Sequence, residues 1–219
     1  MGVVISKPAI NIREQLTELK ATQGYEERQF HFDNLVTNGT FDTDTDWTKG
    51  TGWTINTTTN VAECDGTQTA NTDLSQALSG IQAGRVYRVS TQLTRSAGIF
   101  RFAFFDGANS VSPDFNSSGD AVYYYTAARD TVSVAGRGTA AFVGSIDNFS
   151  IYEVDPSDNK VIHTMPKGWK PLHVFEDGAL QREGSAYDYT VEYDGFNYIV
   201  KETVAPVAPY STTVIGVRA

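Results

Sequence analysis

At 219 residues and 23.9 kDa, with 40% hydrophobic and 20% charged residues, the chain has room for one large β-domain or two small ones and falls in the soluble globular range. Twenty-six acidic against 17 basic residues give a net charge of -9 and a pI near 4.7, which disfavours nucleic acid because phosphate binding needs clustered cations. No apolar run approaches the ~20 residues that span a bilayer, residues 1–5 do not read as a secretory leader, and the single Cys64 excludes an internal disulfide or a Cys-based zinc cluster.

Residues 1–33 carry the helical pattern of the chain. Asn11 with Glu14 three residues later has the form of a capping box, and Gly24 suits a stop. Pro8 favours an extended lead-in. Ile12, Leu16 and Leu19 recur at helical spacing with polar residues between them. A helix of about three turns is marginal alone in water, so this stripe is expected to bury itself, either on its own domain or on a partner. It could equally join copies of the chain, a trimer being one arrangement, although it spans less than two heptads.

From Asn34 to Asp155 the pattern changes to short strands divided by turns. Arg85 to Leu93 alternates with period two, and Ile99 to Phe105 is a compact aromatic strand. Further strands are expected at Val122 to Thr126, Thr131 to Val134, Ala140 to Val143 and Asn148 to Val154, with turns at Ala83-Gly84, Asp106-Gly107 and Ser118-Gly119. This spacing predicts a β-sandwich or jelly roll. The turn-rich Asp155 to Asn159 separates it from a second, smaller β-unit over 156–219. There, hairpins are expected across Asp177-Gly178 and Asp194-Gly195, and a last strand at Thr212 to Val217. About sixty residues make a small core, so this unit is expected to pack on a neighbour.

Three blocks in the middle region resemble the carbohydrate-binding-module-like, galactose-binding-type jelly rolls: Asn34 to Asp42 followed by Trp47 and Gly52-Trp53, Leu74 to Leu78 leading into Ala83 to Val89, and Ser145 to Ile151. The resemblance implies the fold and leaves the ligand open, since the fold hosts many functions. It also implies a structural calcium between first and last strands, for which Asp147 and the Asn38 to Asp42 segment are the matching positions. The flanks resemble tailed-bacteriophage virion proteins. Ile5 to Leu16 is similar to the N-terminal segment of some of them, and Val174 to Gly184 with Tyr189-Thr190-Val191 is similar to a small β-module repeated in phage fibre and appendage proteins.

The chain offers little for catalysis. His31, His163 and His173 are scattered, and no nucleophile elbow, P-loop or zinc-protease helix occurs. Cys64 reads as a buried thiol. The alternating Asp42, Asp44 and Asp46 invite a calcium reading but lack the glycine and closing glutamate of an EF-hand. For sugar stacking, the aromatic candidates are Trp47, Trp53, Phe115 and Tyr123 to Tyr125, of which Trp47 and Tyr124 are the expected glycan contacts and Trp53 is expected in the core.

These readings converge on a mainly β, non-enzymatic component of a phage virion with an N-terminal helical arm, a jelly roll and a small C-terminal β-domain. The arm is expected to anchor it through Ile12, Leu16 and Leu19 to other virion proteins of the tail, portal region or capsid, and host-surface glycans are candidate partners. A tail or fibre role is favoured. A capsid decoration protein and a stand-alone carbohydrate-binding module or lectin are the alternatives. Synthesis in the host cytoplasm, exposure on the particle, a homo-oligomer, no nucleic-acid or membrane partner and no cofactor beyond calcium complete the expectation.

Overall fold

The computed structural model describes residues 27–130, 132–203 and 211–219, which form strands and turns without a helix. The helix expected around Ile12, Leu16 and Leu19, and its anchoring stripe with it, lies outside the described residues.

In chain order the strands are β1 (Glu27–Asp33), β2 (Thr48–Lys49), β3 (Trp53–Asn56), β4 (Val61–Cys64), β5 (Thr72–Leu78), β6 (Val86–Ala97), β7 (Phe100–Phe105), β8 (Ser110–Val111), β9 (Gly119–Thr126), β10 (Val132–Gly138), β11 (Val143–Val154), β12 (Ile162–Thr164), β13 (Trp169–Glu176), β14 (Ala179–Leu180), β15 (Tyr189–Tyr193), β16 (Tyr198–Glu202) and β17 (Ser211–Arg218). Two five-stranded sheets, β2-β5-β10-β7-β8 and β3-β4-β11-β6-β9, form a β-sandwich. A four-stranded sheet, β1-β17-β13-β14, and a three-stranded one, β12-β16-β15, form the second unit.

Alternation builds the sandwich core. In β7 it turns Phe100, Phe102 and Phe104 to one side, each almost fully buried. A chain of rings then runs through the interior, from Phe41 to Trp47, Phe149, Phe102, Phe100, Phe142 and Trp53, with successive centroids 5.3–5.8 Å apart. Tilted and edge-on contacts at this range add to the burial of each ring. Cys64 lies in the same core, its Sγ donating to Gln68 Oε1 at 3.5 Å, and burial pushes the thiol up from its ordinary value.

The segment before β2 closes one end of the sandwich by hydrogen bonds rather than by a long strand. Asn34 donates through Nδ2 to Phe149 O at 3.0 Å and accepts from the amides of Val36 and Ile151 through Oδ1. Gln76 donates to the carbonyls of Thr37 and Asp46. Phe149 N donates to Gly39 O at 2.8 Å, and a Cβ on Gly39 would stand 2.0 Å from Phe149 O, so only glycine lets these backbones meet.

The strand expected at Ala140 to Val143 is instead a turn. Phe142 N donates back to Thr139 O at 2.9 Å, which folds the ring of Phe142 into the core, and β11 begins only at Val143.

The second unit takes a strand from the stretch expected to be the arm. β1 pairs along its whole length with β17, from Glu27 opposite Val217 to Asp33 opposite Ser211. Phe30 and Phe32 alternate onto the core of Met165, Trp169, Val174, Tyr189, Val200 and Val214, with Phe30 edge-on to Trp169 at 5.1 Å. From β1 the chain thus leaves this unit, crosses into the sandwich at Asn34 and returns after β11. The expected boundary at Asp155 to Asn159 is a turn, closed by Asp155 N to Lys160 O at 2.8 Å and Asn159 N to Asp155 O at 2.7 Å. Lys201 of β16 clamps it, with Nζ at 2.5 Å from Asp155, 3.5 Å from Asp158 and 3.3 Å from Glu192.

Candidate binding face

Trp47, expected to contact glycan, is a core residue. Its ring sits between Phe41 and Phe149 at 5.5 and 5.3 Å, it is 7% exposed, and its Nε1 donates to Asn38 O at 3.0 Å, which leaves no face for a sugar. Trp53 is buried as expected. The three tyrosines of β9 divide by alternation. Tyr125 stacks on Phe104 at 3.9 Å with rings 2° from parallel and donates to Asp106 Oδ2 at 2.9 Å. Tyr123 is half-buried against Phe104, and Phe115 is half-buried edge-on to Phe102. Tyr124 alone of this group is exposed, at a register position opposite Arg88.

Asp42, Asp44 and Asp46 stand on an exposed loop, where Asp44 pairs with Lys49, Asp42 accepts from Thr40 Oγ1 at 2.7 Å and Asp46 from Thr45 Oγ1 at 2.6 Å. Burial pushes the Asp147 carboxyl up, the Asn148 amide opposes this, and the charge of Asp42 adds to it. Asp42 is thus near enough for its charge to act on Asp147. Among the described residues there is no cluster of three or more His, Cys, Asp or Glu side chains suited to a metal, so a calcium at Asp42 and Asp147 would need further oxygens from other groups, backbone carbonyls among them.

The histidines are less scattered in space than in sequence. His31 and His163 line one cleft of about 270 Å³ between the sandwich and the second unit, together with Tyr87 and Glu153, while His173 is exposed on β13. The polar atoms here are largely taken by the protein. His163 Nε2 is 2.7 Å from Glu202 Oε1, which also accepts from Thr212 Oγ1 at 3.2 Å, and His31 Nδ1 is 3.0 Å from Thr213 Oγ1. Glu153 Oε1 lies 3.2 Å from Arg85 Nη1, an ion-pair distance without hydrogen-bond alignment, and burial raises its carboxyl against the opposing charges of Arg85 and His163.

A more open arrangement lies at the far end of the second unit. On β15 the alternation that buries Tyr189 continues through Val191 to Tyr193, and on β16 Tyr198 stands directly across from Tyr193. Tyr193 is nevertheless 59% exposed, with its ring 4.9 Å from that of the half-buried Tyr198. The connecting turn holds a third ring. Asp194 Oδ1 accepts from the amides of Phe196 and Asn197 at 2.8 Å each, which lowers its carboxyl below the usual range, and Gly195 at φ 98 supplies the left-handed residue. Phe196 is thereby held outward at 74% exposure, the largest among the exposed large hydrophobics. Tyr193, Phe196 and Tyr198 line a shallow concavity of about 310 Å³ with Lys167, Gly168 and Ala219. Lys170 Nζ stands 6.0 Å above the Tyr198 ring, and Arg218 covers Trp169 at 5.1 Å.

None of these three aromatics was a sequence candidate, because alternation alone assigns Tyr193 and Tyr198 to the core. The signal that could have found them is Phe196 itself, an apolar ring inside a turn of polar residues.

No protein-family model and no curated protein sequence matches the chain. Among solved structures, the enzymatically active domain of bacteriophage CBA120 tailspike protein 4 is 14% identical with a TM-score of 0.39, over 55% of this chain and 21% of that one. TmCBM61 in complex with β-1,4-galactotriose is 16% identical with a TM-score of 0.39, over 56% of this chain and 99% of that one. The chain thus spans about a fifth of the length of the tailspike domain.

Proposed function

We propose that the chain is a non-catalytic component of a tailed-phage particle, associated with the tail or a fibre, that adheres to host-surface glycan through the aromatic ledge of Tyr193, Phe196 and Tyr198. The observation that carries this reading is Phe196, 74% exposed and fixed there by two hydrogen bonds to Asp194. Single exposed apolar residues are ordinary, but adjoining rings around a concavity form a patch, and such patches mark contact sites. Flat rings suit the apolar faces of pyranoses, and the phenolic oxygens and Lys167 supply polar partners. The virion assignment rests on the sequence resemblance of the two flanks, and residues upstream of β1 remain the proposed anchor.

On a glycan panel the full chain is expected to bind at millimolar sugar or better. Phe196→Ala should weaken that binding by at least about tenfold, the effect of losing a well-placed aromatic contact, while leaving the melting temperature unchanged because the ring is largely solvated. Binding that survives the substitution would place the glycan elsewhere. The chain should also be found by mass spectrometry in purified particles, and its absence there would remove the virion part of the proposal.

Calcium at Asp42 and Asp147 is proposed as a structural ion, since a cation between them would relieve their mutual repulsion. Burial and Asp42 raise the folded pKa of Asp147, so without metal its charge opposes folding at neutral pH and Asp147→Asn should be no less stable than the parent in a chelator. Millimolar calcium should raise the melting temperature of the parent and not of Asp147→Asn. A parent that does not respond would eliminate the ion.

A further inference from the structure

Two of the cations beside the concavity make no ion pair among the described residues. Lys167 lines it and Lys170 stands over the Tyr198 ring, and neither makes an ion pair to a carboxylate among the described residues. No side-chain carboxylate lines the concavity. The nearest acids on this hairpin are committed elsewhere, Asp194 to the two turn amides and Glu192 to Lys201 at 3.3 Å. In a chain of net charge -9, two lysines without an ion pair among the described residues, gathered beside three rings, are a local concentration of positive charge.

We infer that the ledge selects acidic glycans, polymers whose sugars carry carboxylate or phosphate groups, with the rings taking the pyranose faces and Lys167 and Lys170 the anionic groups. This rests on the adhesion reading and adds to it the class of polymer. Charge complementarity of this kind favours encounter and selects against neutral competitors, and it weakens with salt. The overall negative charge sharpens the selection, because an anionic polymer is repelled from most of the surface and attracted here.

The test pairs a ligand with its neutral form. An oligogalacturonate and its methyl ester share one sugar backbone and differ by a methyl on each carboxyl, which removes its charge. Titrated into the full chain at low salt, the acid should bind about tenfold or more tighter than the ester, and the gap should close as salt rises. Lys167→Gln with Lys170→Gln should erase the gap by weakening the acid far more than the ester, whereas Phe196→Ala should weaken both ligands alike. Equal binding of acid and ester overturns the inference and leaves adhesion standing. If neither these ligands nor the neutral glycan panel bind, the adhesion reading falls and the inference with it. Co-sedimentation with phosphatidylglycerol vesicles without binding of the oligogalacturonate would overturn it in favour of a membrane surface.

Discussion

Trp47→Ala is expected to lower the free energy of unfolding by roughly 3–5 kcal/mol, the range for deleting a buried large aromatic. The indole is a link in the ring chain, in contact with Phe41 from the entry segment and with Phe149 of β11. Removing it opens a cavity at the end of the sandwich where the closure depends on few backbone pairs, and it leaves Asn38 O without the Nε1 donor. Trp47→Phe keeps much of the packing and loses the hydrogen bond, so its cost should be smaller. Denaturant titration measures both. A loss below about 1 kcal/mol for the alanine variant would mean that the indole is a surface group after all. The folded fraction of either variant should keep the parent's glycan affinity, since Trp47 belongs to the sandwich and the ledge to the other unit.

The second large effect is expected at Lys201. Its ammonium is buried among Asp155, Asp158 and Glu192, and it joins the turn between the two units to the central strand of the three-stranded sheet. Lys201→Met should cost roughly 3 kcal/mol, at the low end for breaking a buried pair because the three carboxylates reach solvent. The effect should depend on pH in a definite sense. The hydrogen bond from Lys201 is the first cause, and those from Ser157 the next, of an Asp155 carboxyl held down at about 2. A folded pKa below the unfolded value stabilises at pH above about 4 and ceases to do so as pH falls towards 2. The difference in stability between Lys201→Met and the parent should therefore narrow across that interval, as followed by urea unfolding at successive pH values. A difference that stays constant would show that the clamp contributes by packing alone.

Much of the sandwich was legible because its strands obey a simple periodicity. The alternation from Arg85 to Leu93 became β6, the aromatic run at Ile99 to Phe105 became β7, and the turn at Asp155 to Asn159 fell where its composition placed it. The failures have physical causes. Ala140 to Val143 is apolar enough for a strand, but the Thr139 carbonyl captures the Phe142 amide and ends the pairing. Residues Glu27–Asp33 do alternate, with Phe30 and Phe32 on one side, yet the partner that makes them a strand, β17, although itself expected at Thr212 to Val217, lies at the opposite end of the chain, and nothing local links the two. Such long-range pairing is what a pass along one sequence is least able to see.

The site was less legible than the fold. An isolated tryptophan in an Asp- and Thr-rich loop looks available for ligand, and its burial depends on Asn38 and Phe41 taking left-handed backbone angles, φ 51 and 56, that fold the loop over the core. Tyr193 and Tyr198 show the converse. Their pattern is that of core residues, and Tyr198 does pack on the core while Tyr193, directly across from it, is exposed near the end of the hairpin. Alternation tells which side of a strand a residue occupies and says nothing about where the opposite layer stops.

The most direct measurement is a chemical-shift titration of the full chain, isotopically labelled, with the oligogalacturonate. Adhesion through the ledge predicts saturable shifts at Tyr193, Phe196, Tyr198, Lys167 and Lys170, with the sandwich unmoved. Shifts confined to Tyr124 and the surrounding face of β9, with the ledge silent, would contradict it.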